Sequence, residues 1–523
     1  MIEGEKMKLL RNLLLCATLL LCQQAWAAKP TILYVPMDNR PVCLAYTVES
    51  MRAAGWDVQT PPVELLASAT TSGKPEQLFE WLEANAKESV AVVASSDALL
   101  YGGLVASRTH EIPLPTLEAR AERLVQLKKS HAGQKVYVFA TIMRSPKASS
   151  APVEPEYYEK WGPQIFRMGA LEDKLELKEI KRSEVRELAD LRAKIPQEVQ
   201  QDLYARRADN IRATELLLHG VESGDFDYML IGRDDTAAYS QAHREARNMD
   251  ILVRELPRER IRFFAGADQL GLLLLSRAAT RLQYELPLVN VTYAAGKGGA
   301  TLPSYEDDTV AESAKQHIYA AGAFPIRNRK HADLLLAVNT PADGVTLEAS
   351  AAANNYHVDR QTAGFTKKVE RLLNHGHQVA LADVKYGNGA DNALVKSLFE
   401  RKLAYRLAAY GGWNTAGNSL GFALAQGLLA GSVSDAEREQ LLNVRYLDDW
   451  AYQANARMTT YQKLIWPQYW PNSGLNDEQL SAAEQFITRE IEKVAEPYMG
   501  KAVEEYRFTL PWSRMFEVDV EKK

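Results

Sequence analysis

An apolar run beginning at Tyr228 ends abruptly in Arg233, Asp234 and Asp235. Two neighbouring carboxylates make each other's ionisation costly, so one can hold a proton near neutral pH while the other carries charge. Proton donation to a leaving group and stabilisation of a cationic transition state need such a pair, and glycoside cleavage uses one. Asp234 and Asp235 are therefore the expected catalytic pair. If the strand simply continues, the two side chains point to opposite sides, leaving one to face the substrate and the other to orient it. Helix capping, the blander use of an Asp after a strand, explains one of them more readily than both.

The same ending recurs along the chain. Asp38 and Arg40 lie on a turn stiffened by Pro36 and Pro41, and Asp97, Tyr101 and Arg108 surround the pair Gly102-Gly103. Arg144 follows another apolar run, as do Asp268 and the polar stretch holding Asp383, Lys385, Asn388 and Asp391. Trp413 and Asn414 close the series. The expected substrate-binding set is Asp38, Arg40, Asp97, Tyr101, Arg108, Arg233, Asp268, Asp383, Asn388, Asp391, Trp413 and Asn414. Two readings of the arginines stand side by side, a two-pronged grip on a substrate carboxylate and pairing with the same aspartates.

Other chemistries are less well provided for. There is no G-x-S-x-G elbow and no glycine-rich dinucleotide fingerprint, and the glycines at 296–299 lack phosphate-loop spacing. His375 and His377 precede an apolar run and are expected at the surface, so no metal and no cofactor belong to the leading reading. A second reading brings Asp38, Asp97, Asp383 and Asp391 together on Mg²⁺ or Ca²⁺ for ester or amide hydrolysis.

Strand, polar turn and helix alternate from residue 31 to about 420, which implies α/β architecture with parallel strands. A single rim that collects the polar turns makes an irregular (β/α) barrel over residues 28–420 the expected fold, with a doubly wound open sheet as the alternative. Dense charge at helical spacing over about 155–222 predicts a helical insertion, and 421–523 reads as a helical C-terminal region with Trp466 and Trp470.

Residues 1–27 read as a signal peptide. Lys8 and Arg11 precede the apolar stretch 13–22, and Ala25-Trp26-Ala27 suits cleavage before Ala28. A periplasmic or secreted protein is expected. Leu21 before Cys22 fits a lipoprotein signal poorly, and Met7 is an alternative start. Of three cysteines only Cys43 would remain, which precludes an intramolecular disulfide and suits a core position. A net charge of -5 offers no footprint for nucleic acid, and the mature chain has no apolar run long enough for a permanent membrane span. The expected partner is a carbohydrate or another small polar substrate. Oligomeric state is left open.

The blocks PMDNRP, SSDALLYGGLVASR, IGRDDTAAYSQAHREA, FAGADQLGLLLLSRA, DVKYGNGADNALV and AYGGWNTAGNSLG resemble the recurrent blocks of a bacterial family of unknown function and cover most of the mature chain. That resemblance brings no established activity. IGRDDT alone is similar to the Asp-Asp strand end of barrel hexosaminidases that use the substrate's acetamido group, which implies paired roles for Asp234 and Asp235. The function expected is an exported glycoside hydrolase acting on an amino-sugar or acidic glycan. A metal-dependent hydrolase and a periplasmic binding protein for a sugar acid are the alternatives.

Overall fold

The computed structural model describes residues 30–523 apart from 131, 132, 148 and 150. The expected signal peptide and its cleavage point before Ala28 lie outside the described residues. Strands β1 (Thr31–Val35), β2 (Val58–Gln59), β3 (Ser89–Ser95), β4 (Lys135–Ile142), β5 (Tyr228–Arg233) and β6 (Ile261–Ala265) form one parallel sheet in the order β2-β1-β3-β4-β5-β6. Nearly continuous apolar sequence in β3, β4 and β5 has a structural cause: helices cover both faces. Leu33, Val92 and Val138 pack into one core and Ile32, Val93 and Phe139 into another, as period-two alternation requires.

The second half of the chain repeats the plan. It contributes β7 (Leu288–Tyr293), β8 (Phe324–Pro325), β9 (Leu334–Asn339), β10 (Leu347–Glu348), β11 (Val379–Asp383), β12 (Tyr386–Gly387) and β13 (Ala409–Gly411). Five of these make a second parallel sheet, β13-β11-β9-β7-β8, while β10 and β12 pair with each other outside it. Each sheet places its second strand on one side of the first and all later strands on the other. Neither sheet closes. The expected barrel is therefore replaced by two open parallel sheets, with β2 and β6 at the edges of the first and β8 and β13 at the edges of the second. Local sequence could not separate these outcomes, because the strand, turn and helix signals are the same for both and closure depends on which distant edges meet. The shortness of β2 does have a local cause, since Pro61 and Pro62 follow it and lack the N–H a ladder needs.

Two helices join the sheets. Leu270–Leu282 lies on β3 and β4, Ala416–Leu429 lies on β9, β11 and β13, and the two helices pack on each other within one continuous core. The close fit shows at Gly271, where an added Cβ would come within 2.2 Å of the Tyr34 hydroxyl. Between β4 and β5 the chain forms three helices, Tyr158–Glu176, Arg182–Lys194 and Gln197–Ser223, with a small core of their own. After residue 421, helices include Asp435–Arg445 and Asp477–Met499, joined through a π-helical stretch Tyr446–Ala456. This region also carries an antiparallel hairpin, β14 (Tyr506–Thr509) and β15 (Asp519–Lys522), which the helical expectation had not included. No described helix is long and apolar enough to cross a membrane.

Candidate functional site

A cavity of about 290 Å³ opens beside the carboxyl ends of the first sheet's strands, the usual place for a ligand in an open parallel sheet. Each wall follows from how a strand stops. After β1, Asp38 turns back and holds Arg40 through its backbone N–H at 3.1 Å and through Nε and Nη2 at 3.0 and 2.8 Å. Arg40 Nη2 then donates to Asp268 Oδ1 at 2.6 Å, tying the turn after β6 to the turn after β1. After β3, the backbone passes through Gly102 and Gly103 at φ 93° and 135° before the helix Leu104–Thr109. A side chain at residue 103 would collide with Ala67 and demand a strained φ. That turn brings Arg108 to Asp234, with Nη2 2.6 Å from Oδ2.

The strand β5 ends at Arg233, and Asp235 has φ 29°, a left-handed conformation uncommon outside glycine. Alternation therefore stops where the carboxylates begin, and both Asp234 and Asp235 line the cavity. The expectation that only one would face inward is corrected. Arg144, after β4, meets Asp235 Oδ2 at 3.1 Å through Nη1 and Glu154 Oε1 at 2.6 Å through Nε. Glu154 Oε1 is also 3.7 Å from Arg108 Nη1, so one glutamate sits between the two arginines that hold the two aspartates.

The opposite wall comes from the second half. Tyr305, Asn388 and Asn414 face the cavity, with the last two at φ 59° and 57°. Asparagine tolerates this conformation because its short side chain bonds locally. Asn388 Nδ2 donates to Glu348 Oε2 at 2.8 Å, and the Tyr305 hydroxyl donates to Glu348 Oε1 at 2.7 Å. Trp512, Arg514 and Phe516, between β14 and β15, complete the lining, and Trp512 Nε1 donates to Asn39 Oδ1 at 2.6 Å.

Burial, with the charge of Asp234 adding to it, pushes the Asp235 carboxyl up to about 6 against the pull of Arg144. Asp97 is almost wholly buried and is pushed up to about 7 by that burial, opposed by a hydrogen bond from Thr141 Oγ1 at 2.9 Å. Its Oδ2 has no partner among the described residues. Burial also raises Asp268, against the pull of Arg40.

Of the residues expected at the site, Arg40, Arg108, Asp234, Asp235, Asp268, Asn388 and Asn414 line this cavity. Asp38 stands behind Arg40, and Trp413 packs edge-on behind Phe516 at 6.0 Å. Asp97, bound to Thr141, is close enough to feel Asp234 and Arg108 electrostatically. The rest are elsewhere. Arg233 turns away, because as the last strand residue it points across the sheet, and it pairs with Asp307 and Asp308 at 2.6 and 2.5 Å. Tyr101 is buried against His110 at 5.1 Å. Asp383 and Asp391 are locked in the second sheet by Asn339, Lys385 and Tyr410, and Asp391 caps the helix Asn392–Glu400. Among the described residues no three His, Cys, Asp or Glu converge to hold a metal, so the four-aspartate cation site is not assembled. The second expectation for the arginines is the one the contacts fit, since each guanidinium in the lining is matched to carboxylates.

Eight lining residues lay outside the expected set: Leu104, Val105, Arg144, Val153, Tyr305, Trp512, Arg514 and Phe516. Tyr305 had a signal in its neighbours, because Glu306-Asp307-Asp308 is a second acidic run. The segment 512–516 carries no periodicity that would have marked it.

Comparison with known proteins gives little functional guidance. A solved complex between a UDP-glucosyltransferase from Polygonum tinctorium capable of glucosylating indoxyl and 3,4-dichloroaniline aligns over 91% of this chain and 99% of that chain, at 10% identity and a TM-score of 0.17. An overlay that loose bears on neither fold nor function. No curated protein matches. The profile of a family described as "Protein of unknown function (DUF4127)" matches residues 32–521, from β1 to the C-terminal hairpin. The chain belongs to this family of unknown function.

Proposed function

We propose that the cavity is the active site of a glycoside hydrolase, with Asp235 as the general acid and Asp234 as its partner carboxylate. The observation that carries this reading is that consecutive aspartates, each held by its own arginine, line one cavity because the backbone turns left-handed at Asp235. Cleaving a glycosidic bond requires a proton for the departing oxygen and negative charge near the developing oxocarbenium ion. A carboxyl raised to about 6 can donate that proton near neutral pH, and Asp234, ion-paired with Arg108, supplies the charge. Exposed Tyr305 offers a ring face, and Asn388 and Asn414 offer amide oxygens to hydroxyl groups. The signal-like segment 1–27 would place this activity in the periplasm or outside the cell.

The test is mass-spectrometric detection of cleavage by the purified mature chain on a panel of acetamido-sugar, amino-sugar and uronic-acid glycosides with chelator present. Products that disappear in both Asp234→Asn and Asp235→Asn support the reading. Turnover undiminished in either variant overturns the assignment, and turnover only with an added divalent cation moves the chemistry to metal-assisted hydrolysis.

A further inference from the structure

The charges of the cavity specify more than a reaction type. Arg40 is taken by Asp38 and Asp268, Arg108 by Asp234, and Arg144 by Glu154 and Asp235. The fourth guanidinium, Arg514, is held by both oxygens of Glu517 at 2.6 and 2.7 Å. Six carboxyl groups thus face four guanidiniums, or five carboxylates when Asp235 is counted as the protonated acid. The arginines also occupy the Trp512 ring, with Arg40 at 5.3 Å and Arg514 at 4.6 Å from its centre. A substrate carboxylate entering here would have to displace an existing ion pair and would meet surplus negative charge.

Apart from the fully buried Arg108 Nε, what remains open has the opposite character. Arginines engage Asp234 and Asp235 through Oδ2 and Asp268 through Oδ1, and the second oxygen of each accepts no hydrogen bond among the described residues. All three aspartates line the cavity. These oxygens are acceptors, and a carboxylate oxygen left without a donor in a confined site makes its strongest hydrogen bond to a cationic donor. Asp234 and Asp235 are engaged in the proposed reaction, whereas Asp268 stands on a separate turn, anchored by Arg40.

We infer that the site takes a substrate bearing a protonated amine, received by Asp268 Oδ2. This inference rests on the glycoside-cleaving reading and narrows its substrate to free-amine amino sugars, in preference to uronic acids or N-acetylated sugars. An acetamido group carries no charge and has one N–H, so it cannot replace the ammonium at this position.

Equilibrium titration calorimetry at pH 7 on the full mature chain tests it, with four probes: a glucosamine disaccharide, its N-acetylated counterpart, a uronic-acid disaccharide, and ethanolamine as an amine without a sugar. The free-amine disaccharide should bind about tenfold or more tighter than the acetylated one, the size of effect expected of a charge-assisted hydrogen bond, with the uronic acid weakest. In Asp268→Asn the amine preference should fall toward parity while binding of the acetylated sugar persists, and Asp268→Glu should restore part of the preference. Equal or tighter binding of the acetylated or acidic probe overturns the inference, as does a preference that survives Asp268→Asn or the binding of no probe. Asp268-dependent binding of ethanolamine with no glycan bound would keep the cation site and discard the glycoside reading. Cleavage of an acetylated glycan without amine preference would do the reverse.

Discussion

Glu154 Oε1 lies 2.6 Å from Arg144 Nε, and through this contact one buried glutamate sets the arginine that holds Asp235. The same oxygen lies 3.7 Å from Arg108, which holds Asp234. Glu154→Gln keeps the shape and removes the charge, leaving Arg108 and Arg144 facing each other with less compensation. We expect a stability loss of about 3 kcal/mol by denaturant titration, the lower end of the range for breaking a buried pair, and loss of most turnover on any active substrate. An unchanged midpoint and unchanged turnover would show that the network positions nothing.

Asp235 provides a conformational test as well as a chemical one. Asparagine adopts the left-handed backbone comparatively readily, and alanine does not. Asp235→Ala should therefore melt at a lower temperature than Asp235→Asn, with a difference of about 1 kcal/mol, although both lose the acid. Equal melting of the two would mean that the backbone at residue 235 relaxes without cost.

The pH dependence of turnover has a defined sign. A general acid must be protonated to act, so kcat/KM should fall as pH rises through about 6, the value to which burial and Asp234 push Asp235. Arg144 opposes that rise, so Arg144→Gln should move the alkaline limb to higher pH. A limb that stays in place when Arg144 is removed would assign the titration to another group.

Stability should respond to Asp97 in the sense set by linkage. Its folded value of about 7 lies above the ordinary carboxylate value of 3.8, so between those limits the folded chain holds a proton that the unfolded chain releases. The contribution is fully present below the unfolded value and is lost as pH rises through about 7. In Asp97→Asn that part of the decline disappears, so the variant should gain on the parent chain between pH 4 and pH 8. Parallel melting curves across that window would contradict the assignment.

Much of the cavity's first-sheet wall was legible because the cue is local. An apolar run that breaks into Asp or Arg marks both the end of a buried strand and the side on which the site forms, and Arg40, Asp234, Asp235 and Asp268 carry that cue, while Arg108 is marked by the Gly102-Gly103 pair before it. The cue says nothing about direction after the break. Arg233 carried the same cue and turned to Asp307 and Asp308, while Asp391 became a helix cap beside Asp383. Sheet closure was illegible for a different reason, since it is decided by pairing between edges far apart in sequence. The wall from 512 to 516 reaches the cavity by tertiary contact alone, without a strand or helix of its own to announce it.

The contact between Trp512 and Asn39 spans 473 positions of the chain. During synthesis the arginines and aspartates of the first sheet emerge long before the segment that walls them, so the cavity is complete only when the last residues of the chain have docked. Loop-closure cost grows only slowly with length, so the late docking of this segment is thermodynamically inexpensive even though it comes last. A chain cut after residue 510 would lack both the Trp512, Arg514 and Phe516 wall and the core residues Met515, Val518 and Val520, so the segment that closes the cavity is also part of what holds the fold together.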